Sequence, residues 1–225
     1  MAPDRSPAAE TTIDQEVDSC AVACCRRKEE YHRSGNLHRI GVAAHWYFSG
    51  ELLDEVDHLG PGGHGNVTET EIIEYVSGLS GVVTLTASEE SGAPAAAWGD
   101  TFFFYDPEDN LPENQRLPFT TLVIHDYAGW DNESDLDRDG IFRVNIAIGR
   151  SGFEQMLGYP PATQAAHRDE FDYAATDVLL PHPLYASQGW VSILNPGDQT
   201  SAQLRDLLHE AHRLAAGRYA RRQGA

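Results

Sequence analysis

The segment from Asp177 to Ala215 constrains the possible fold more than any other part of this sequence. It contains a Pro-His-Pro turn, the strand pattern WVSILN and an amphipathic helix with leucines at helical spacing. The residues Thr200-Ser201-Ala202-Gln203 have the pattern of a capping box and predict where that helix begins. The segment therefore predicts a turn, a strand and a terminal helix in direct succession.

The upstream sequence supplies the other elements of the fold. A capping box at Thr68-Glu69-Thr70-Glu71 predicts a first helix, and Ser151-Gly152-Phe153-Glu154 predicts a short later one. Between them lie the strand patterns VVTLTA, AWGDTFFFYDP, PFTTLVIHDY and FRVNIAIG, with connections too short for crossover helices. This order predicts an α+β fold, a single mainly antiparallel sheet of about five strands with the helices packed on one face.

The sequence changes character near Val67. Residues 1–66 show no sustained periodicity and contain the only lysine of the chain, Lys28. We therefore predict that residues 67–225 form a single α+β domain and that residues 1–66 are a poorly ordered or weakly helical extension. We also hypothesise that the native protein starts at Val67.

The formal net charge of −19 argues against two classes of partner. A strongly negative field repels nucleic-acid phosphates and anionic lipids, and residues 67–225 contain no lysine. No apolar run has the roughly 20 residues needed to span a bilayer, and the N-terminus lacks the pattern of a signal peptide. We expect a cytoplasmic protein that binds neither nucleic acid nor membranes.

Two patterns resemble metal-binding motifs, but each lacks a feature that the motif requires. The run from Asp135 to Phe142 matches the start of an EF-hand calcium loop, but Ile146 stands where calcium requires a glutamate. His209 and His212 are three residues apart on the last predicted helix, which is not the spacing of a zinc protease. They flank the leucine stripe and are better explained as a polar edge of the helix. We expect no metal and no other cofactor.

Three stretches carry a resemblance to a known family. They are TASEESGAPAAAWGDTFFFYDP, FRVNIAIGRSGFEQMLGYPP and LLPHPLYASQGWVSILNPGDQTSAQLRDLL. From about Val67 to Arg218 the chain resembles the uncharacterised bacterial domain-of-unknown-function family 6194, and more distantly the small double-wing α+β fold. The resemblance implies a fold and no mechanism. Some relatives imply an esterase-type activity, but the G-x-S-x-G motif is absent from this sequence.

The candidate ligand site follows from the predicted sheet. If the helices cover one face, the other is expected to be open and polar, and the prolines around His182 would fix its imidazole beside that face. An open face with polar and aromatic side chains suits a small polar ligand. The predicted ligand-binding residues are Asp100, His125, Arg143, Asn145, His182, Tyr185, Gln188 and Trp190.

Two functions compete at this point. The preferred one is a small-molecule-binding or interaction domain that uses the open face and the loop from His182 to Trp190, a face that could also form a homodimer contact. The alternative is a small esterase-like hydrolase in which His125 or His182 is the general base, oriented by Asp100 or Asp126. A catalytic pair must lie within hydrogen-bond distance inside a pocket, and this requirement distinguishes the two functions.

Overall fold

The protein is described by a computed structural model that covers residues 66–112 and 115–224. The predicted extension at residues 1–66 therefore lies, except for Asn66, outside the described residues. None of the described helices combines the length and the apolar composition that crossing a bilayer requires.

The described chain folds into one six-stranded antiparallel sheet and four α-helices, which confirms the predicted α+β class. The strands are β1 (Val82–Thr86), β2 (Thr101–Tyr105), β3 (Pro118–Val123), β4 (Arg143–Ala147), β5 (Leu179–Pro181) and β6 (Trp190–Leu194). The helices are α1 (Glu69–Ser77), α2 (Gly149–Leu157), α3 (Gln164–His167) and α4 (Ser201–Gln223).

The strand order in the sheet is β1-β2-β3-β4-β6-β5. The first four strands follow one another as a meander, as their short connections predict. The sheet has one strand more than expected, because the Leu179–Pro181 segment pairs with β6 as an edge strand. Proline has no backbone N–H to donate, so an edge position is one of the few places in a sheet that tolerates Pro181.

The main hydrophobic core lies between the sheet and helices α1, α2 and α4. Helix α4 packs across β2, β3 and β4, and α1 lies against β1 and β2. The core side chains from both layers are almost fully buried, each contributing about 1.5 to 3 kcal/mol by burial. They include Ile72, Val76, Phe103, Leu122, Val144, Ile146, Phe153, Val191, Ile193, Leu204 and Leu208.

The sequence correctly predicts where α1 and α4 begin, but only one of its three predicted capping boxes is present. Helix α1 has the predicted capping box, in which Thr68 and Glu71 bond each other's backbone N–H groups. The capping box predicted at Ser151 is wrong, because α2 already begins at Gly149 after an Ile148 N-cap that has no side-chain hydrogen bond. The box predicted at Thr200 is also wrong, since the Thr200 hydroxyl makes no side-chain cap bond in α4.

The turn that precedes α4 is held by Asp177, which also engages the Thr200 hydroxyl. Its carboxylate accepts hydrogen bonds from the backbone N–H groups of Gly197, Gln199 and Thr200, and from the Thr200 hydroxyl at 2.6 Å. Burial works to raise the pKa of Asp177, but these hydrogen bonds outweigh it and lower the pKa below its usual value. The turn that leads into α4 is therefore organised by an ionised side chain from before β5.

Candidate functional site

The sheet face opposite the main core carries a row of polar side chains on its central strands. The strand register places Asn145 directly between Thr121 on β3 and Ser192 on β6. Arg143 lies on the same side of β4, two residues before Asn145, because side chains alternate along a strand. We call Thr121, Arg143, Asn145 and Ser192 the polar floor.

The expectation that this face is open to solvent is wrong. The exposed fraction of the polar-floor residues is at most 9%, and that of Ser192 is 0%. The segment from Asp126 to Ile141 supplies a second, smaller hydrophobic cluster, in which Leu136 packs with Val123, Leu180 and Leu194. Sequence periodicity could not predict this cover, because the segment forms no helix or strand of its own beyond one isolated bridge between Tyr127 and Asp131.

A buried ion pair connects this cover to the polar floor. The guanidinium of Arg143 donates to both carboxylate oxygens of Asp131, at 3.1 and 2.5 Å, and to the Ser134 hydroxyl at 2.7 Å. The side chains of Arg143 and Asp131 are only 1% and 7% exposed. Because the pair is bidentate and shielded from water, it fixes both the position of the turn and the direction of the arginine.

Three buried polar atoms of the floor have no hydrogen-bond partner among the described residues. They are Arg143 Nε, Asn145 Oδ1 and Ser192 Oγ. The other end of the Asn145 amide donates to Thr121 Oγ1 at 3.0 Å, so reversing the amide would only exchange which of its two atoms lacks a partner. Neighbouring unpartnered atoms on one sheet face form a concentrated set of unused donors and acceptors.

Four aromatic side chains, which we call the aromatic row, follow one another beside the polar floor. The ring centroids are separated by 5.9 Å between Tyr127 and Trp130, 6.2 Å between Trp130 and Tyr185, and 6.4 Å between Tyr185 and Trp190. The two ends of the row are linked to the floor through neighbouring residues. Tyr127 is bridged to Asp131, the partner of Arg143, and Trp190 lies two residues before Ser192 on β6.

His182 is buried against the aromatic row, with its ring centroid 4.9 Å from that of Tyr185 and 6.3 Å from that of Trp190. Its Nδ1 accepts hydrogen bonds from the backbone N–H groups of Leu184 and Tyr185, at 3.0 and 3.3 Å. The proton of the neutral ring is therefore on Nε2. Burial, and secondarily the charge of Arg143, hold the pKa of His182 well below its usual value, so the ring is neutral.

Asp100 and His125 lie at the Tyr127 end of the row. The buried Asp100 carboxylate accepts hydrogen bonds from the Tyr127 hydroxyl and, at 3.0 Å, from the backbone N–H of Ile124. Burial raises the pKa of Asp100, and these two hydrogen bonds oppose it. His125 Nε2 is 3.8 Å from Asp100 Oδ1 and instead donates to the Ala96 carbonyl oxygen at 2.5 Å.

Seven of the eight predicted site residues thus contact the floor, the row or each other. Gln188 does not, because its side chain is exposed and makes no hydrogen bond to another described residue. Asp126, the alternative orienting acid of the hydrolase hypothesis, accepts from the Leu136 backbone N–H at 3.1 Å and so organises the cover.

Sequence reasoning missed Tyr127, Trp130, Asp131 and Ser134, all of which come from the covering segment. Their only sequence signal is the run YAGWDNES, in which a glycine turn sits between two aromatic residues. A turn of that kind does not by itself reveal which sheet face it covers.

Other features of the described chain lie away from this site. A cleft beside α4 is lined by Tyr105, Leu117, Tyr219 and Arg222, among others, and shares no residue with the polar floor. Within the described part of the chain, no three or more His, Cys, Asp or Glu side chains come together in a way that would hold a metal ion.

Comparison with known proteins gives one finding. The model of the family described as "Family of unknown function (DUF6194)" matches residues 67–224. No curated protein and no solved structure matches the chain.

Proposed function

This chain belongs to the family of unknown function DUF6194, and we propose that it is a small-molecule-binding protein whose ligand is held between the polar floor and the aromatic row. Family membership assigns no reaction, so the proposal depends on the chemistry of the site alone. Like the prediction from the sequence, this proposal uses the second sheet face and the loop from His182 to Trp190. Unlike that prediction, it takes the face to be covered and not open to solvent.

The observation that carries this proposal is the set of unpartnered atoms on the floor, Arg143 Nε, Asn145 Oδ1 and Ser192 Oγ. Buried polar groups in folded proteins almost always have a hydrogen-bond partner. Leaving one unsatisfied costs about 1 to 3 kcal/mol, so three adjacent ones are expensive to keep without a purpose. A ligand with an acceptor for the arginine N–H and a donor for the amide oxygen would remove that cost.

The surroundings match what small-molecule sites require. Such sites combine a mostly aromatic or apolar lining with a few polar groups that orient the ligand. Here the lining is the aromatic row and the orienting groups are the floor atoms. Because the floor is buried, the ligand must be small and must enter by displacement of the cover, whose turn is held by Arg143 and Asp131.

Binding is preferred over hydrolysis because neither candidate general base, His125 or His182, has suitable geometry. His125 Nε2 is 3.8 Å from Asp100 Oδ1, which is too far for a hydrogen bond. The same nitrogen already donates to the Ala96 carbonyl oxygen. His182 uses its basic nitrogen to accept two backbone N–H groups. A general base needs that nitrogen to be available to the substrate.

The test is a thermal-shift measurement with a panel of small neutral compounds that carry both a donor and an acceptor, such as benzamide, nicotinamide, uracil and phenol. The key variant is Ser192→Ala, and the matched control is Thr120→Val. The Thr120 hydroxyl is also buried and unpartnered, but it pairs with Ile146 on the main-core face. A bound compound at 100 times its Kd should stabilise the wild type by about 2.7 kcal/mol.

We expect at least one compound to raise the Tm of the wild type and of Thr120→Val while affecting Ser192→Ala much less, with a loss of affinity of roughly 5- to 100-fold. Without ligand, both variants should be as stable as the wild type or slightly more stable. If every stabilising compound acts equally on Ser192→Ala, or if none stabilises the wild type, the proposed function is wrong.

A further inference from the structure

We propose that two copies of this chain associate through the free edge of β1, with their β1 strands paired antiparallel about Thr84. The pairing would join the two six-stranded sheets into one continuous sheet. This edge shares no residue with the polar floor, so the inference goes beyond the proposed function and does not depend on it.

The outer edge of β1 presents backbone groups that no strand of the described sheet pairs with. β1 is the first strand in the sheet order, so β2 is its only neighbour there. Just outside the strand, the backbone N–H and carbonyl of Ala87 both bond toward β2 at 2.8 Å, and the Gly81 carbonyl oxygen accepts from that side at 2.9 Å. Backbone groups alternate in direction along an antiparallel strand. Those of Val82, Thr84 and Thr86 therefore point away from β2.

β1 has none of the features that usually keep an edge strand from pairing. Such features are charged side chains, a proline, a bulge or a very short strand. β1 has the sequence VVTLT, and its register with β2 is regular throughout. The opposite edge of the sheet is protected, because β5 has three residues and ends in Pro181. An unprotected edge is expected to pair with another strand.

An apolar patch adjoins this edge on the second face of the sheet. Leu85, which is 44% exposed, lies opposite Phe102, and Val83 lies opposite Phe104. Phe102 in turn lies opposite Thr121 of the polar floor, which places all four side chains on that face. We call Val83, Leu85, Phe102 and Phe104 the edge patch. None of them belongs to either hydrophobic cluster of the described residues, and exposed apolar patches typically mark interaction sites.

Pairing about Thr84 matches the hydrogen-bonding groups of the edge to those of a second copy. A two-fold axis at Thr84 sets this residue opposite its own copy and sets Thr86 opposite Val82. The N–H groups of Thr84 and Thr86 then meet the outward carbonyl oxygens of Thr84 and Val82 across the axis. The Val82 N–H needs no partner, because it already donates to the Leu79 carbonyl oxygen at 3.3 Å.

The same register joins the two edge patches. It sets Leu85 of each copy opposite Val83 of the other, on the second face of both sheets. Apolar cross-strand pairs of this kind each contribute about 0.2 to 1 kcal/mol. Phe102 and Phe104 continue the patch on either side, so pairing covers apolar surface as well as backbone.

Charge is compatible with a second copy in this register. Two chains with a net charge of −19 repel each other, so they can associate only through surfaces that lack facing acidic groups. Continued past the ends of the strands, the register sets Glu89 and Glu90 of one copy opposite Leu79 and Gly78 of the other. Like charges directly opposite each other would destabilise the pairing, and here none are brought together.

The mass of the full chain in solution tests the inference. Sedimentation velocity and light scattering are measured over a dilution series. We expect particles with twice the mass of the chain that dissociate on dilution. Hydrogen exchange followed by NMR should show the N–H groups of Thr84 and Thr86 protected while the dimer is present and exchanging rapidly after dilution.

Two substitutions of Thr84 separate pairing from folding. Thr84→Pro removes the central N–H donor, and the sheet within one chain should tolerate the change because that group faces away from β2. Thr84→Val is the matched control, since it keeps the N–H, and both variants lose the 2.8 Å hydrogen bond between the Thr84 and Ser77 hydroxyls. We expect Thr84→Pro to be a folded monomer and Thr84→Val to form the dimer.

A third variant tests the edge patch. Leu85→Lys sets a charge opposite Val83 of the other copy, and because Leu85 is exposed the chain should still fold. The control is Val178→Lys, a residue that is 42% exposed and directly precedes β5 at the opposite edge of the sheet. We expect Leu85→Lys to weaken dimerisation roughly tenfold or more and Val178→Lys to leave it unchanged.

Several results would overturn the inference. The first is a wild type that is monomeric at every concentration up to its solubility limit, including one whose Thr84 N–H is protected, since the edge would then have another occupant. The second is a dimer that persists in a folded Thr84→Pro variant. The third is a dimer that Leu85→Lys and Val178→Lys weaken equally. If Thr84→Pro fails to fold, Leu85→Lys and the hydrogen exchange of the wild type decide the question.

Discussion

Replacing Asp131 with alanine should be among the most destabilising single changes in the described domain. The substitution leaves the Arg143 guanidinium buried, with an exposed fraction of 1%, and removes the carboxylate that accepts two of its hydrogen bonds. Removing one partner of a buried pair typically costs about 3 to 5 kcal/mol, because the remaining charge is uncompensated. Each kcal/mol lowers the Tm of a domain of this size by about 2 to 4 °C, so a decrease of about 10 °C is expected.

The assay is urea unfolding followed by tryptophan fluorescence, together with the Tm from circular dichroism. The control is Asp135→Ala in the same segment. Its side chain is 65% exposed and pairs with a partly exposed Arg138, so a change below about 1 kcal/mol is expected. The double variant Asp131→Leu, Arg143→Met should recover more than half of the loss, because an apolar pair leaves no charge buried.

A loss below about 1 kcal/mol for Asp131→Ala would refute this reasoning. It would mean that water reaches Arg143 and that the segment from Asp126 to Ile141 does not seal the second face of the sheet. A double variant no more stable than Asp131→Ala would refute the claim that the cost comes from uncompensated charge.

Three further predictions concern the framework of the site. Asp177→Ala should cost about 2 to 3 kcal/mol in urea unfolding at pH 7 and much less near pH 2, because the pKa of this carboxyl is lowered in the fold and its contribution is lost as the pH falls through that value. His182→Asn keeps an acceptor for the turn but does not titrate. Since the pKa of His182 is lowered in the fold, the wild type should lose stability relative to the variant as the pH falls below about 6.5. Parallel profiles of unfolding free energy against pH would contradict this. Gly189→Ala should lower the free energy of unfolding by at least about 2 kcal/mol, because φ is +84° and the new Cβ would lie 2.5 Å from the carbonyl carbon of Gly149. The control Gly92→Ala, with φ +72° and open space around the new Cβ, should lower it by about 1 kcal/mol. Equal losses for the two variants would contradict the role of the close contact.

The fold was largely predictable because its elements carry local signals. The alternation in FRVNIAIG and the leucine spacing of α4 each identify an element and its buried side. β5 was missed because it is a three-residue edge strand that ends in Pro181, and proline normally argues against a strand.

The capping hydrogen bonds were predicted less well than the helices themselves, because a capping side chain can bond to a partner distant in sequence. At Thr68 the partner is three residues away, and the prediction is confirmed. At Thr200 the hydroxyl donates to Asp177, which is 23 residues earlier in the chain. A local motif cannot anticipate that competition.

The site, too, was predictable only where it depends on residues close together in the sequence. Alternation along β3, β4 and β6 places Thr121, Asn145 and Ser192 on one face, which the sequence can indicate. Whether that face is open depends on the segment from Asp126 to Ile141, whose position is fixed by the ion pair between Arg143 and Asp131. Such a contact joins an irregular loop to a strand and leaves no periodic pattern in the sequence.

The central claim, that a small ligand reaches the polar floor, is tested most directly by the side-chain amide signal of Asn145 in protein NMR. On addition of the panel compound that most stabilises the protein, the account predicts that this signal and the Trp190 indole signal shift together with one saturation curve. Shifts confined to other residues such as Trp98, with the Asn145 amide unchanged at saturation, would contradict it.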